Sequence, residues 1–291
     1  MKLFKRKKQD LKTLLLPVAC CLLPLLTPFT PGVLAVSPGL TVLVQTPEAP
    51  KAKAEQHFTQ GVEQLNANQL DEALESFQRT VNIQQQNGNR FGEAVTLNNL
   101  GIVYYYQGQY EQAIASYQES MKLFWSIYES SEDTNSSTPH SGIATSLNNQ
   151  SIVHLQLGDY QKAIELCHGA MAIFRNMGDR TREAAAINNM GIAYEMLEDY
   201  ERAIGYFQEA LATAQSIDDA RGEVVTLNNL KDVYTKLGQA EKVKEIEQQA
   251  LAILQEIRQA GDTGGTVSSN DYLLVRQKER SLAIIFSQLL Q

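Results

Sequence analysis

At 291 residues, 43% of them apolar, the chain accommodates one large domain or two small ones with a buried core. The net charge of −8 includes +5 from the first twelve residues (six basic side chains against Asp10), so the remainder carries −8 − 5 = −13, which excludes a phosphate backbone as a natural partner. Of the three cysteines, Cys20 and Cys21 lie near the start, and Cys167 alone forms neither an internal disulfide nor a zinc set.

In chain order, the basic start (Lys2 to Lys12) leads into an uncharged stretch from Thr13 to Pro47, most apolar from Leu14 to Leu26. Val33-Leu34-Ala35 supplies a cleavage-site pattern, so residues 1–35 are expected to be a signal peptide or an N-terminal membrane anchor. The uncharged run is long enough to span a bilayer, which takes about 20 residues, although Pro17, Pro24, Pro28 and Pro31 interrupt it. Acylation at Cys20 or Cys21 is a third reading, opposed by the preceding Leu16-Pro17-Val18-Ala19, and a basic-apolar tail without export function is a fourth. The expected location is therefore exported (periplasm or secreted) or membrane-anchored. Residues 36–53, with Pro47 and Pro50, read as a linker. After Pro50 the only proline is Pro139, a distribution that suits long helices.

The body is periodic. The pairs Asn98-Asn99, Asn148-Asn149, Asn188-Asn189 and Asn228-Asn229 are spaced 50, 40 and 40 residues apart. The long interval contains Ser130 to Pro139, a polar stretch without an apolar face, and removing its ten residues leaves a period of 40. Each period reads as two helices. In the one starting at Ala184, Ile187, Met190, Ile192 and Tyr194 face inward on the first helix. Tyr200, Ala203, Ile204, Phe207, Ala210 and Leu211 do so on the second. The same columns recur at Ala73, Ala113, Ala163 and Ala203, and at Phe77, Tyr117, Cys167 and Phe207. Gly61, Gly101 and Gly191 mark a column where the paired helices approach closely. The repeats expected are 54–93, 94–143, 144–183, 184–223 and 224–260. The first is divergent, with Phe58 and Thr59 at the Asn-Asn columns, and the last carries Lys231, Val243 and Glu247 at the Gly, Ala and aromatic columns. Residues 261–270 read as a Gly/Ser/Thr linker, and 271–291 as a capping helix with Leu273, Leu274, Leu282, Ile285, Phe286 and Leu289 on its apolar side; Ser281 to Phe286 also fits a strand.

Leu97, Gly101, Tyr104, Ala113 and Tyr117, and again Ile187, Gly191, Tyr194, Ala203, Phe207 and Ala210, resemble the tetratricopeptide repeat (TPR). The 40-residue period and the Leu-Asn-Asn-Leu-Gly run at Leu97 to Gly101 resemble the subclass of kinesin light chains and LGN/Pins-type adaptors. That resemblance implies an all-α, right-handed superhelix of about five helix-turn-helix repeats with a C-terminal capping helix, whose first helices line a concave groove. It places Val95, Asn98, Asn99, Ile102, Tyr105 and Tyr106 in the groove, followed by Thr145, Asn148, Asn149, Ile152 and Gln156. Ala185, Asn188, Asn189, Ile192, Glu195 and Met196 continue it, and Val225, Asn228, Asn229, Asp232 and Lys236 complete it.

The candidate peptide-binding residues are Asn98, Asn99, Asn148, Asn149, Asn188, Asn189, Asn228 and Asn229, with Tyr105 and Tyr106 as aromatic anchors. An amide side chain both donates and accepts, so a row of asparagines can pair with a peptide backbone. The second asparagine of each pair is expected to face the ligand; the first is left open between the groove and the neighbouring repeat. The competing reading makes each asparagine a tie to backbone. The family's carboxylate clamp is not expected, because Phe58, Thr145 and Asn149 stand where basic residues are needed. No metal, cofactor or catalytic grouping is expected among His57, His140, His154, His168 and the acidic residues, so the chain is read as a non-enzyme. Arg90, Arg180 and Arg221, beside Glu93, Glu183 and Glu223, are read as salt bridges or caps. The function expected is a scaffold for a protein or peptide partner. The alternatives are a membrane-tethered assembly factor for a membrane or pigment-protein complex, and a peptide-sensing regulator.

Overall fold

The computed structural model describes residues 48–130 and 137–259. The leader, residues 131–136 of the insertion, the expected linker 261–270 and the expected C-terminal helix lie outside the described residues. Ten helices follow one another, with no strand among the described residues: α1 (Glu48–Asn66), α2 (Leu70–Gln86), α3 (Arg90–Tyr106), α4 (Tyr110–Ser130), α5 (Ser137–Leu157), α6 (Tyr160–Met177), α7 (Arg180–Met196), α8 (Tyr200–Ser216), α9 (Ala220–Lys236) and α10 (Ala240–Gln259). Each helix packs on the next, and the odd-numbered helices also pack on each other, α3 on α5, α5 on α7 and α7 on α9. The architecture is an all-α superhelix of five helix pairs. It bends toward the layer in which first helices touch, which makes that layer the inner one.

The two layers differ in how they are buried, and the sequence explains why. Outer helices bury a single stripe. In α8 it is Ala203, Phe207, Ala210, Thr213 and Ala214, at steps of three and four. An inner helix lies between its own outer partner and two neighbouring repeats, and α7 accordingly buries eleven of its seventeen residues. The glycine column sets the spacing inside each pair. A Cβ at Gly101 would lie 2.4 Å from the Tyr117 ring, and one at Gly191 would lie 2.5 Å from the Phe207 ring. In the third pair the column holds Ser151, and the facing ring is replaced by the smaller Cys167, so volume is conserved across the contact.

The helix ends carry their own signals. Asn89, Asp159, Asp179, Asp199 and Asp219 cap helices by accepting a hydrogen bond from the backbone N–H three residues on. The turns use left-handed residues: Gly88, Gly108, Gly158, Gly178 and Gly238, but also Asn68, Glu198 and Asp218.

Two expectations are revised. Helix α1 begins at Glu48, inside the expected linker, with Pro50 in its first turn, where a missing N–H costs nothing. The ten-residue insertion is only partly a loop. Relative to a 40-residue period it lengthens α4 by four residues, starts α5 three residues early and leaves the rest between them. Trp125, Tyr128 and His140 form an edge-to-face aromatic chain along this extension, with ring centroids 5.9 and 4.5 Å apart.

Candidate functional site

The inner layer places the asparagine pairs of α3, α5, α7 and α9 side by side, and their amides form a ladder. Asn149 Nδ2 donates to Asn98 Oδ1 at 3.3 Å, Asn189 Nδ2 to Asn148 Oδ1 at 3.0 Å, and Asn229 Nδ2 to Asn188 Oδ1 at 2.7 Å. The second asparagine of each repeat thus reaches back to the first asparagine of the repeat before it. Asn99 is the exception. One period upstream of Asn98 stands Phe58, which has no acceptor, so Asn99 Nδ2 turns to its own helix and donates to the Val95 carbonyl at 2.9 Å.

This geometry takes the second asparagine of repeats three to five out of the groove, against the expectation that it faces the ligand. Asn149, Asn189 and Asn229 have no exposed surface, and their Oδ1 atoms are buried without a partner among the described residues. They are not on the groove surface, because their amides lie in the seam between repeats. The tie also runs to a side chain, not to backbone as the competing reading had it. The first asparagines, Asn98, Asn148, Asn188 and Asn228, retain 4–9% exposure. In Asn98, Asn148 and Asn188 the Oδ1 is engaged by the next repeat, while Nδ2 makes no hydrogen bond among the described residues. The ladder therefore orients one N–H donor per repeat away from the seam.

Around these donors the inner face is nearly uncharged. Val95, Thr145, Ala185 and Val225 form one half-buried column. Ile102, Ile152 and Ile192 form a second, buried at Ile102 and Ile152 and half-buried at Ile192, and half-buried Tyr106 with exposed Gln156 and Met196 forms a third. Glu195 is the sole charged position in the groove set of repeats two to four, and Lys236 holds its carboxylate at 3.1 Å across the α7–α9 seam. Charge appears in the fifth repeat, at Asp232 and Lys236. Tyr105 is packed, not open. It is 7% exposed, lies against Tyr106 and Tyr110, and burial pushes its phenol up to about 12, helped by Tyr110. Tyr106 stays half-buried.

The remaining candidates occupy structural positions. Glu183 is fully buried on α7 and bridges two arginines, accepting from Arg175 Nε and Arg180 Nη1 at 2.6 Å each. Arg175 also reaches Glu209 at 2.9 Å. Arg180 was legible as a partner from its spacing; Arg175, on the preceding helix, was not. His154 is mostly buried, its Nδ1 3.3 Å from an Asp159 carboxylate oxygen without hydrogen-bond alignment. Among the described residues no group of three His, Cys, Asp or Glu side chains is disposed to hold a metal.

A family model described as tetratricopeptide repeat matches residues 61–124, 142–216 and 182–256, and a second model of the same description matches residues 98–177. The chain is a tetratricopeptide-repeat protein. Solved structures agree on the fold of this TPR chain. Aspartyl phosphate phosphatase F from Bacillus subtilis is 17% identical, with 75% of this chain and 54% of that one covered and a TM-score of 0.64. A Podosopora anserina putative kinesin light chain with nearly identical TPR-like repeats is 17% identical, with 72% and 98% covered and a TM-score of 0.56. A Rap protein complexed with competence and sporulation factor is 19% identical, with 70% and 54% covered and a TM-score of 0.56. The TPR chain spans about half the length of the first and third of these, and at such identities the likeness is one of fold. A comparison with curated proteins gave no match.

Proposed function

We propose that this TPR protein is a scaffold that binds an extended peptide, or an extended segment of a partner protein, along the inner face of α3, α5, α7 and α9. The observation that carries the reading is the polarity of the ladder. Asn98, Asn148 and Asn188 each have the carbonyl fixed by the next repeat, which leaves their Nδ2 atoms as a row of donors with no partner among the described residues. Such a row suits the backbone carbonyls of an extended ligand, whatever its side chains. The uncharged columns around it suit a ligand segment with apolar or neutral side chains, because a charged one would lose hydration without gaining a counter-charge. Tyr106, half-buried in the outermost column, is the aromatic anchor of this reading. The Rap relative in complex with competence and sporulation factor supports a fold of this kind taking up a partner. The leader, if it acts as an export signal or anchor, delivers the groove to an exported or membrane-bound partner.

The test separates ligand binding from repeat cohesion. Asn148→Asp keeps an acceptor for Asn189 Nδ2 and removes the outward N–H donor. A crosslinking pull-down is run from membrane and soluble fractions with the wild type and with Asn148→Asp, both confirmed helical by circular dichroism. Loss of the captured partner in the variant is expected. Capture of the same partners in the same yield means that the groove is not the site.

A further inference from the structure

Along one edge of the solenoid the inner helix of each pair turns into its outer helix. One column of that edge holds Ala67, Gln107, Leu157, Leu197 and Leu237, a single residue per repeat. Gln107 is tied to the preceding pair, its Nε2 donating to Asp71 Oδ1 at 2.8 Å. The leucines that replace it in the third, fourth and fifth pairs stay open, at 47%, 45% and 39% exposure. They are three of the five large apolar side chains left exposed among the described residues. Single exposed leucines are ordinary, but three in one column form a contiguous ridge. Helices α5, α7 and α9 pack directly on one another, so successive leucines stand about 8–10 Å apart. The flanks of the ridge differ in charge. On the groove side lie Gln156, Met196 and Lys236, the last paired with Glu195. On the outer side, the first turns of α4, α8 and α10 carry Glu111, Glu201 and Glu241, and the turn before α8 adds Glu198. All four carboxylates are exposed and without an ion pair among the described residues. The basic side chains beside them are already engaged: Lys162 by Glu165, Arg202 by Asp199, and Lys242 over the Tyr234 ring.

We propose that this edge docks an amphipathic helix of a partner protein, laid across the ends of α5, α7 and α9. Its apolar stripe rests on Leu157, Leu197 and Leu237, and its basic residues lie on the side that faces the outer helices. An α-helix advances about 10.5 Å in seven residues, close to the step between the leucines. Apolar residues at every seventh position, filled in at three and four, therefore meet all three in register. An extended strand fits less well, because its same-side residues recur about every 7 Å. The unpaired carboxylates favour a basic helix over an acidic one, and their confinement to one flank fixes which side of the stripe carries the charge. The ridge lies outside the asparagine columns, so the proposal goes beyond the groove reading and stands apart from it.

The probe is a synthetic peptide of about 18 residues, about five turns of helix. It carries leucines in the seven-residue register, lysines on one side of that stripe, and alanine and glutamine elsewhere. Its binding to the full chain is followed by fluorescence anisotropy at about 0.15 M salt. Leu157→Gln, Leu197→Gln and Leu237→Gln are combined in one variant, because glutamine is what the second repeat carries in this column. Circular dichroism confirms that the variant keeps its helices. Saturable binding to the wild type is expected, roughly tenfold or more weaker for the triple variant and for a peptide of the same composition in shuffled order. Glu111→Gln, Glu198→Gln and Glu201→Gln together are expected to weaken binding and to flatten its salt dependence. Absence of saturable binding overturns the proposal, as does equal binding by the triple leucine variant or by the shuffled peptide. Loss of binding with Asn148→Asp overturns it by placing the peptide in the groove. So does a leucine-dependent dimer in light scattering, since a second copy is then what covers the ridge.

Discussion

Glu198 sits in the left-handed region at φ 61°, in a turn column that is glycine at Gly108, Gly158 and Gly238. A side chain there costs roughly 1–2 kcal/mol, part of which glycine returns as unfolded-chain entropy. Glu198→Gly is therefore expected to stabilise the protein by about 1 kcal/mol and to raise its melting temperature by about 2–4 °C. A second residue-scale strain lies in Tyr117, whose ring fits the Gly101 notch but whose hydroxyl is buried without a partner among the described residues. The repeats on either side of this notch use Phe77 and Cys167. Removing an unsatisfied buried hydroxyl is worth about 1–3 kcal/mol, so Tyr117→Phe is expected to raise the urea midpoint with an unchanged slope. The same change alters alkaline behaviour. Burial raises the phenol of Tyr117 well above its usual value, and it raises Tyr105 and the Cys167 thiol to about 12 each. These groups ionise first in the unfolded chain, near pH 9 for the thiol and near 10 for the phenols. The stability they contribute is therefore complete below about pH 9 and is lost as pH rises toward 12. Circular dichroism between about pH 9 and 12 should show unfolding for the wild type and a higher midpoint for Tyr117→Phe.

At the scale of elements, the ladder and, at the α6–α7 junction, the Glu183 bridge add polar ties to the apolar packing of one helix pair on the next. Asn189→Ala removes the donor to Asn148 and leaves that carbonyl unmet, at an expected cost of about 1–3 kcal/mol. Asn99→Ala breaks only a bond within α3 and should cost less in the same urea titration. A larger loss for Asn99→Ala than for Asn189→Ala would contradict the ladder. The helix pairs themselves were legible in the sequence, because a 40-residue recurrence of Ala, aromatic and Gly columns reflects a packing contact repeated at every pair. The asparagine pairs were legible as special, but the roles within a pair were not. Adjacent residues on a helix point about 100° apart, and which of them meets the neighbouring repeat depends on how the repeats are rotated against each other. The extension of α4 and α5 through the insertion was missed for a related reason. Ser, Thr and Asp favour turns locally, yet α4 runs four residues past the period and α5 starts three residues before it. The Asn89 and Asp159, Asp179, Asp199 and Asp219 caps were in plain view as a turn signal, and would have fixed the helix starts.

On the scale of the whole molecule, the inner face combines fixed amides, an uncharged floor and the Glu195–Lys236 ion pair at its C-terminal end. The charge of −13 left after the first twelve residues (−8 less their +5) is thus not gathered in the groove set, whose charged members in repeats two to five are Glu195, Asp232 and Lys236. The measurement that bears most directly on this account is site-specific photocrosslinking in the native membrane and soluble fractions. The photoreactive residue is placed at Gln156 on the inner face or at Gln118 on the outer face, each with and without Asn148→Asp. The account predicts a crosslinked partner from position 156, traced to a segment poor in charged residues and lost with Asn148→Asp, and none from position 118. Capture from position 118 alone, or from position 156 undiminished by Asn148→Asp, would contradict it.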